Sequence, residues 1–583
     1  MEFSAVADAM QLLEATPSRN EMVGIIAGLF KRLSPQECGE SAYLLQGRVA
    51  PPHKGIDIGV GEKLVEGAIS KATGYRKKDV EKLYLKLGDL GLVAEKLCAA
   101  KKQTSLFSET LTVSKVYNSL YRIAAASGSG SQDLKASLLA ELINSASPLE
   151  ARYIVRFPLG RLRLGVGDPT VLDALSHMHK GDKSDREYIE RAYNLHPDLG
   201  MIARKYVEDP ELLGKISIEP FTPVRPALAE RLSSAEEIFA KAGECIVEAK
   251  YDGFRLQCHK KGDEVELFSR RMERMTHMLP EIVDSVKGEM KCGEVIFEGE
   301  ALAYNEATGE FYPFQQTMQR KRKHNVDRKA GEMPLKLFAF DLLYLDGRDL
   351  TTLPFSKRRK MLEALIPKGS GTLRPSEAYT AKSAEEIEAH FEDFVSRGLE
   401  GLMAKDLNSP YIAGARKFAW IKLKRSYRGE LSDTVDIVIV GYYAGKGARA
   451  KLGFGGILGA VYDGHTDTFQ TIAKVGSGFT EEQMARIEGA LSGIRTSKQN
   501  PRVTSLMRPT YWVEPKYVIT VSADEITRSP THTCGKEGDG PGYALRFPRM
   551  VGELRDDKLP EDATTVDEII SMYKLQSARQ SQK

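Results

Sequence analysis

Apolar positions three and four apart recur through roughly the first 210 residues. EKLVEGAISKATG from Glu62, VEKLYLKLGDLGLVAEKL from Val80 and SLLAELINSASPLEARYIVRFPL from Ser137 each read as amphipathic helix. Ser127-Gly128-Ser129-Gly130-Ser131 reads as a short loop between helices. EPFTPVRPALAE, from Glu219, carries three prolines and marks a joint between domains. From Cys245 the pattern shortens to strand-like runs divided by Gly and Asp turns: CIVEAKYDGFRLQCHKKGDEVELFSRR, EVIFEGEALAY and LKLFAFDLLYLDG. This block is α+β and ends near Lys424. Beyond it, DTVDIVIVGYYAG, ILGAVYDG, FQTIAKVGSG and KYVITVSADEI suggest a small β-barrel. The helical run VDEIISMYKLQ follows.

Length and composition fit this division. A chain of 583 residues suggests three or four domains. With 42% hydrophobic and 28% charged residues, it can bury real cores and is not a disordered chain. A net charge of +3 argues against a globally cationic protein and leaves room for local basic faces. The N-terminus shows no basic start followed by an apolar core, and no apolar run approaches the roughly 18 residues of a membrane span. The expectation is a cytoplasmic protein without a membrane partner, acting as a monomer. The six cysteines are scattered without a CxxC pair, which disfavours a disulfide framework or zinc knuckle.

Neither the phosphate-loop signature nor the dinucleotide fingerprint is present; the glycines from Gly453 to Gly459 match neither. The outstanding stretch is Glu248-Ala249-Lys250-Tyr251-Asp252-Gly253-Phe254-Arg255. A lysine ahead of Asp-Gly and Arg is either a surface strand lysine beside a turn or a nucleophile that attacks phosphorus. Attack needs an uncharged amine, so the lysine pKa must fall from about 10.4. Neighbouring cations or desolvation achieve this, and Arg255, Arg270, Arg271, Lys422 and Lys424 are candidates.

KYDGFR resembles the first motif of the covalent nucleotidyltransferases: DNA ligases, RNA ligases and mRNA capping enzymes. FSRRMERMT, VIFEGEALAY, LKLFAFDLLYLDG, EGLMAK, WIKLKRSY and YALRFPRMVGELRDDK resemble the later motifs, in order, over some 300 residues. The resemblance implies that Lys250 attacks the α-phosphate of ATP, holds AMP and releases pyrophosphate. It implies that Glu248 accepts a hydrogen bond from adenine and that Phe340 stacks on the base. Glu300 would hold the ribose or approach a metal, and Glu400 would help bind Mg²⁺. Arg255, Arg270, Arg416, Lys422 and Lys424 would form the phosphate set. Arg546, Arg549 and Lys558, with Arg555 and Asp557, would arrive from the barrel to orient pyrophosphate, and the barrel would then swing away.

The flanks point to the acceptor. Roughly 200 helical residues precede the nucleophile, which capping enzymes lack. SPLEARYIVRFPLGRLRLGVGDPTVLDAL from Ser147 and YLLQGRVAPPHKGIDIGVGEKLV from Tyr43 resemble the DNA-binding domain of archaeal and eukaryotic replicative ligases. Arg156, Arg161 and Arg163, with Gly165 and Gly167, suit phosphate contact. KVGSGFT from Lys474 matches the ligase barrel and is a candidate for the minor groove. The expected fold is therefore an all-α N-terminal DNA-binding domain over 1–212, an α+β adenylation domain over 213–426 and an OB-fold domain with a C-terminal helix over 427–583. The expected substrate is nicked double-stranded DNA, sealed through enzyme-lysyl-AMP and DNA-adenylate. Gln103, Leu106 and Phe107 resemble a short sliding-clamp segment; the alternative is a loop with Leu106 and Phe107 packed inward. An RNA ligase and a non-catalytic DNA-binding clamp partner are the competing readings. Use of ADP or GTP, and of Mn²⁺ in place of Mg²⁺, stays open.

Overall fold

The computed structural model describes the chain except for residues 102–109, 306–309, 313–316, 318–319, 321–325, 398, 425–433, 446–453, 524 and 581–583. Gln103, Leu106 and Phe107 lie outside the described residues.

The first region is helical from Ser4–Ala15 to Leu199–Glu208, as the periodicity predicts. In Val113–Ala125 the buried side chains are Val113, Val116, Leu120 and Ile123, one stripe at helical spacing. Thr112 caps its N-terminus by accepting from the Lys115 N–H. Helix Pro148–Arg156 starts from a capping box between Ser147 and Glu150, with Pro148 pre-set for the first turn. Ser131–Ser145 follows the Gly-Ser loop, in which Gly128 and Gly130 take positive φ.

The proline-rich joint is not a free linker. Its Phe221 N–H donates to His259 Nδ1 at 3.0 Å, and its Val224 N–H donates to Gln257 Oε1 at 2.7 Å. Gln257 returns a bond from Nε2 to the Val224 carbonyl at 3.0 Å. The joint is thus fixed to a strand of the middle domain.

That domain holds two sheets. One has five strands in the order Leu228–Arg231, Arg416–Lys424, Gly401–Asp406, Cys245–Lys250, Ala378–Ala381. The other runs Glu264–Ser269, Phe254–Lys261, Glu294–Asn305, Leu335–Leu345, Arg348–Asp349, with Glu310–Phe311 and Leu373–Pro375 attached. Strand Cys245–Lys250 belongs to the first sheet and Phe254–Lys261 to the second, so the three residues Tyr251-Asp252-Gly253 carry the chain across between them. Tyr251 anchors the crossing by stacking on Phe338, with ring centroids 4.4 Å apart. A Cβ on Gly253 would meet the Ala301 carbonyl oxygen at 2.3 Å, so only glycine fits there.

The C-terminal region is β-rich with OB-fold character. Thr434–Tyr443 pairs with Gly456–Asp463, Tyr511–Val513 and Val518–Ser522, and helix Glu481–Ser492 packs among the strands. Helix Val566–Gln580 closes this region. Among the described residues no helix is long and apolar enough to cross a membrane.

The helical and C-terminal regions touch. Arg19 bridges Asp173 of the helical region at 2.9 Å and Asp467 of the C-terminal region at 3.9 Å. Gly165, at φ +69, lies against the ring of Pro501.

Candidate active site

Both sheets of the middle domain and the edge of the C-terminal region enclose a cavity of about 730 Å³. Lys250, the last residue of its strand, lies at its wall. The side-chain period of two places Glu248 on the same face, deeper in.

The phosphate-suited end gathers charges from several strands. The Lys250 amine donates to Glu400, and the Lys424 amine reaches the other oxygen of the same carboxylate. Glu400 is set by its own N–H, which donates to the Lys250 carbonyl at 3.2 Å. Burial opposes ionisation of Glu400, yet the two ammonium groups hold its carboxyl far below the usual carboxylate range. Gly401 follows at φ +151, where a Cβ would meet the Leu423 carbonyl oxygen at 2.1 Å; the residue after Glu400 must be glycine for the strands to close. Glu300 stands across the ladder from Arg255, and burial pushes its carboxyl up to about 7. Lys422 lies two residues before Lys424 and points into the same cavity. Burial pushes its amine down to about 7, against the pull of Glu568.

The other end is aromatic. Phe340 meets Trp420 edge to face, with centroids 5.8 Å apart. Glu248 is 2% exposed, and its two oxygens lie 3.0 Å from Arg359 Nη1 and 2.8 Å from Lys405 Nζ.

The C-terminal region supplies the remaining wall. Arg270 approaches Asp562 at 3.4 Å, and Arg271 donates to the Asp556 carbonyl at 3.1 Å. Arg555 and Lys558 line the cavity; Lys558 pairs with Asp436 and Arg555 with Asp557. Glu568, on the last helix, sits 3.1 Å from Arg416 and 3.3 Å from Lys422.

The structure thus brings together Lys250, Glu248, Arg255, Arg270, Glu300, Phe340, Glu400, Arg416, Lys422, Lys424 and Lys558 around one cavity. Several expectations change in detail. Arg255 lines the cavity, but its guanidinium forks onto Glu298 at 2.6 and 3.2 Å and donates to the Ala227 carbonyl at 2.7 Å. Arg546 and Arg549 are exposed and stand outside the cavity wall. Arg156 is corrected: it is 1% exposed and closed in a network with Asp89 at 2.7 Å and Glu14 at 2.8 Å, so it is a core residue and not a surface phosphate contact. Arg161 pairs with Glu62 at 3.0 Å, and Arg163 pairs with Asp89 at 2.9 Å and donates to the Arg495 carbonyl at 3.2 Å.

Sequence reasoning missed Arg359, Lys405, Glu298 and Glu568. Lys405 ends the motif EGLMAK and was within reach; Arg359 lies inside a helix with no motif around it.

The comparisons with known proteins cover nearly the whole chain. The DNA ligase N terminus family matches residues 2–176, the ATP dependent DNA ligase domain 226–424, and the ATP dependent DNA ligase C terminal region 450–558. A protein named "Probable DNA ligase" from Dictyoglomus turgidum is 49% identical over 577 residues, covering 99% of this chain and 98% of its own length. A "DNA ligase" from Pyrobaculum calidifontis is 45% identical over 583 residues, covering 99% of each chain. A solved structure titled "mycobacterial DNA ligase D complexed with ATP and MES" is 26% identical, covers 58% of this chain and 97% of its own, and has a TM-score of 0.35. With this cover and identity, the chain belongs to the ATP-dependent DNA ligases, the enzymes that seal nicks in DNA.

Proposed function

We propose that the seal is made through AMP carried on Lys250, within three domains bounded near residues 212 and 426. The observation that carries this is the Lys250–Glu400–Lys424 cluster in a cavity with a buried carboxylate and aromatic rings at its other end. Glu400 aims the amine, which is partly exposed, and Lys422, Lys424 and Arg416 face the phosphate side. The Lys250 nitrogen bonds to the α-phosphorus, the bond to the pyrophosphate oxygen breaks, and the amine proton passes to solvent. Neutralising the charge that develops on the phosphoryl oxygens is the task of the surrounding cations.

AMP then moves to the 5′-phosphate of a nick. The neighbouring 3′-hydroxyl attacks that phosphorus, a phosphodiester bond forms and AMP leaves. Arg161 and Arg163 contribute phosphate contacts once the helical domain lies on duplex, and binding weakens with salt.

Glu300 and Glu400 fit a magnesium ion in donor chemistry: hard carboxylate oxygens lining a cavity that also takes phosphates. When bound, the ion supplies charge neutralisation at the phosphate oxygens. Among the described residues no cluster of three or more His, Cys, Asp or Glu side chains could hold a metal ion, so Glu300 and Glu400 would hold it together with the bound nucleotide.

The test is incubation with α-labelled ATP and Mg²⁺ followed by denaturing electrophoresis. Label stays on the wild-type chain and is absent from Lys250→Ala. Label persisting on the variant rejects Lys250 as the carrier.

A further inference from the structure

The base end of the cavity is built with more charge than a hydrogen-bonding carboxylate requires. Glu248 is met on one oxygen by Arg359 Nη1 at 3.0 Å and on the other by Lys405 Nζ at 2.8 Å. All three groups are almost wholly buried, at 2%, 4% and 1% exposure.

Each cation is itself fixed. Arg359, on helix Phe355–Leu365, donates to the hydroxyl and the carbonyl of Ser376 and pairs with Glu363 at 2.6 Å. Lys405 donates to the Phe340 carbonyl at 3.2 Å. Its amine lies 4.3 Å from the Trp420 ring centre and 4.6 Å from those of Phe340 and Phe355. Burial lowers the Lys405 pKa, and Glu248 opposes that fall. Two charged partners are a costly arrangement unless every member is satisfied, and here each has a named partner.

We propose that Arg359 and Lys405 are positioning residues that hold the Glu248 carboxylate in one orientation, and so set the choice of base. This deepens the reading of Glu248 as the adenine acceptor and rests on it. An ionised carboxylate offers only acceptor lone pairs. A 6-amino purine donates to it. A 6-keto purine presents an oxygen and meets two acceptors face to face. With one cation removed, one oxygen loses its fixed partner, the carboxylate gains freedom to rotate, and the discrimination between a 6-amino and a 6-keto group weakens. Lys405 also ties the carboxylate to the Phe340 backbone, so the acceptor and the stacking ring move as one unit.

The experiment compares lysyl-nucleotide formation from ATP and from ITP, which differ at the 6-position, as a ratio of kcat/KM. Circular dichroism and affinity for nicked DNA serve as the control for fold and DNA binding. The expected result for Lys405→Gln and Arg359→Gln is a fall in the ATP:ITP ratio of about tenfold or more, carried mainly by KM, with fold and nicked-DNA affinity retained. Lys405→Arg restores most of the ratio. Should a Gln variant fail in the control, the ratio measured on Arg359→Lys decides. Glu248→Gln separates the two layers. If its ratio is unchanged, the reading of Glu248 fails. If its ratio falls while those of the Lys405 and Arg359 variants match wild type, the positioning proposal alone is overturned.

Discussion

Glu568 and Lys422 form an ion pair at 3.3 Å that joins the last helix to a strand lining the cavity. The same carboxylate reaches Arg416 at 3.1 Å. Burial opposes its ionisation, but Lys422 and Arg416 hold it well below the ordinary carboxylate range. An acidic side chain therefore occupies cations that suit phosphate.

Removing that charge is expected to favour the nucleotide through Arg416, which stays charged, while Lys422 loses the pull that offsets its burial. In Glu568→Gln the KM for ATP in lysyl-AMP formation falls about fivefold, the scale of a partly exposed ion pair. Single-turnover labelling at varied ATP measures it. An unchanged KM shows that the carboxylate does not compete with phosphate.

Lys422 gives a pH dependence. With its amine at about 7, it is charged below that value and neutral above it. Because only the charged form attracts phosphate, kcat/KM for ATP, which reports the free enzyme, declines as pH rises through about 7. Lys422→Arg stays charged and flattens this alkaline decline. A wild-type profile still climbing to pH 9 contradicts the assignment.

Gly253→Ala pushes a methyl group into the Ala301 carbonyl. Overpacking of this kind costs about 1–3 kcal/mol. The displaced crossing also moves Lys250, and a misplacement near 1 Å lowers a rate about a hundredfold. The expected variant is folded by circular dichroism but slow in lysyl-AMP formation, with sealing of adenylated nicks affected less.

Arg156→Met breaks a buried network. Glu14 loses its nearest cation, while Asp89 keeps Arg163. The expected loss is about 3 kcal/mol, seen as a lower denaturation midpoint of the helical region. DNA affinity measured well below that midpoint stays at the wild-type level; a tenfold loss there restores Arg156 as a DNA contact.

The contrast between Arg156 and Gly253 shows what a sequence can reveal. Gly253 belongs to a local pattern, strand-Asp-Gly-strand, which marks the turn even though the carbonyl that excludes a side chain there, that of Ala301, comes from a distant strand. Arg156 ends a stretch that reads as amphipathic helix and suits phosphate contact, but its partners lie 67 and 142 positions away. The division into helical, α+β and β-rich regions was legible because periodicity is local. Lys250, Glu248 and Phe340 were legible through motif order. Arg359 and Glu568 make contacts that form only when distant elements pack, and short spacing carries no trace of them, whereas Lys405 closes the motif EGLMAK and was open to the same reading.

The docking of Gly165 on Pro501, with Arg163 turned to the Arg495 carbonyl, has a consequence for sequence of events. The loop expected to meet duplex is spent on the C-terminal region in this arrangement. One surface cannot hold both at once. On the reading proposed above, charging with AMP is expected in this docked, DNA-free arrangement, and engagement of a nick is expected to begin with undocking. Such an enzyme waits ready-loaded, so its first turnover on DNA outpaces the next, and a stopped-flow trace shows a burst whose height counts the preloaded molecules.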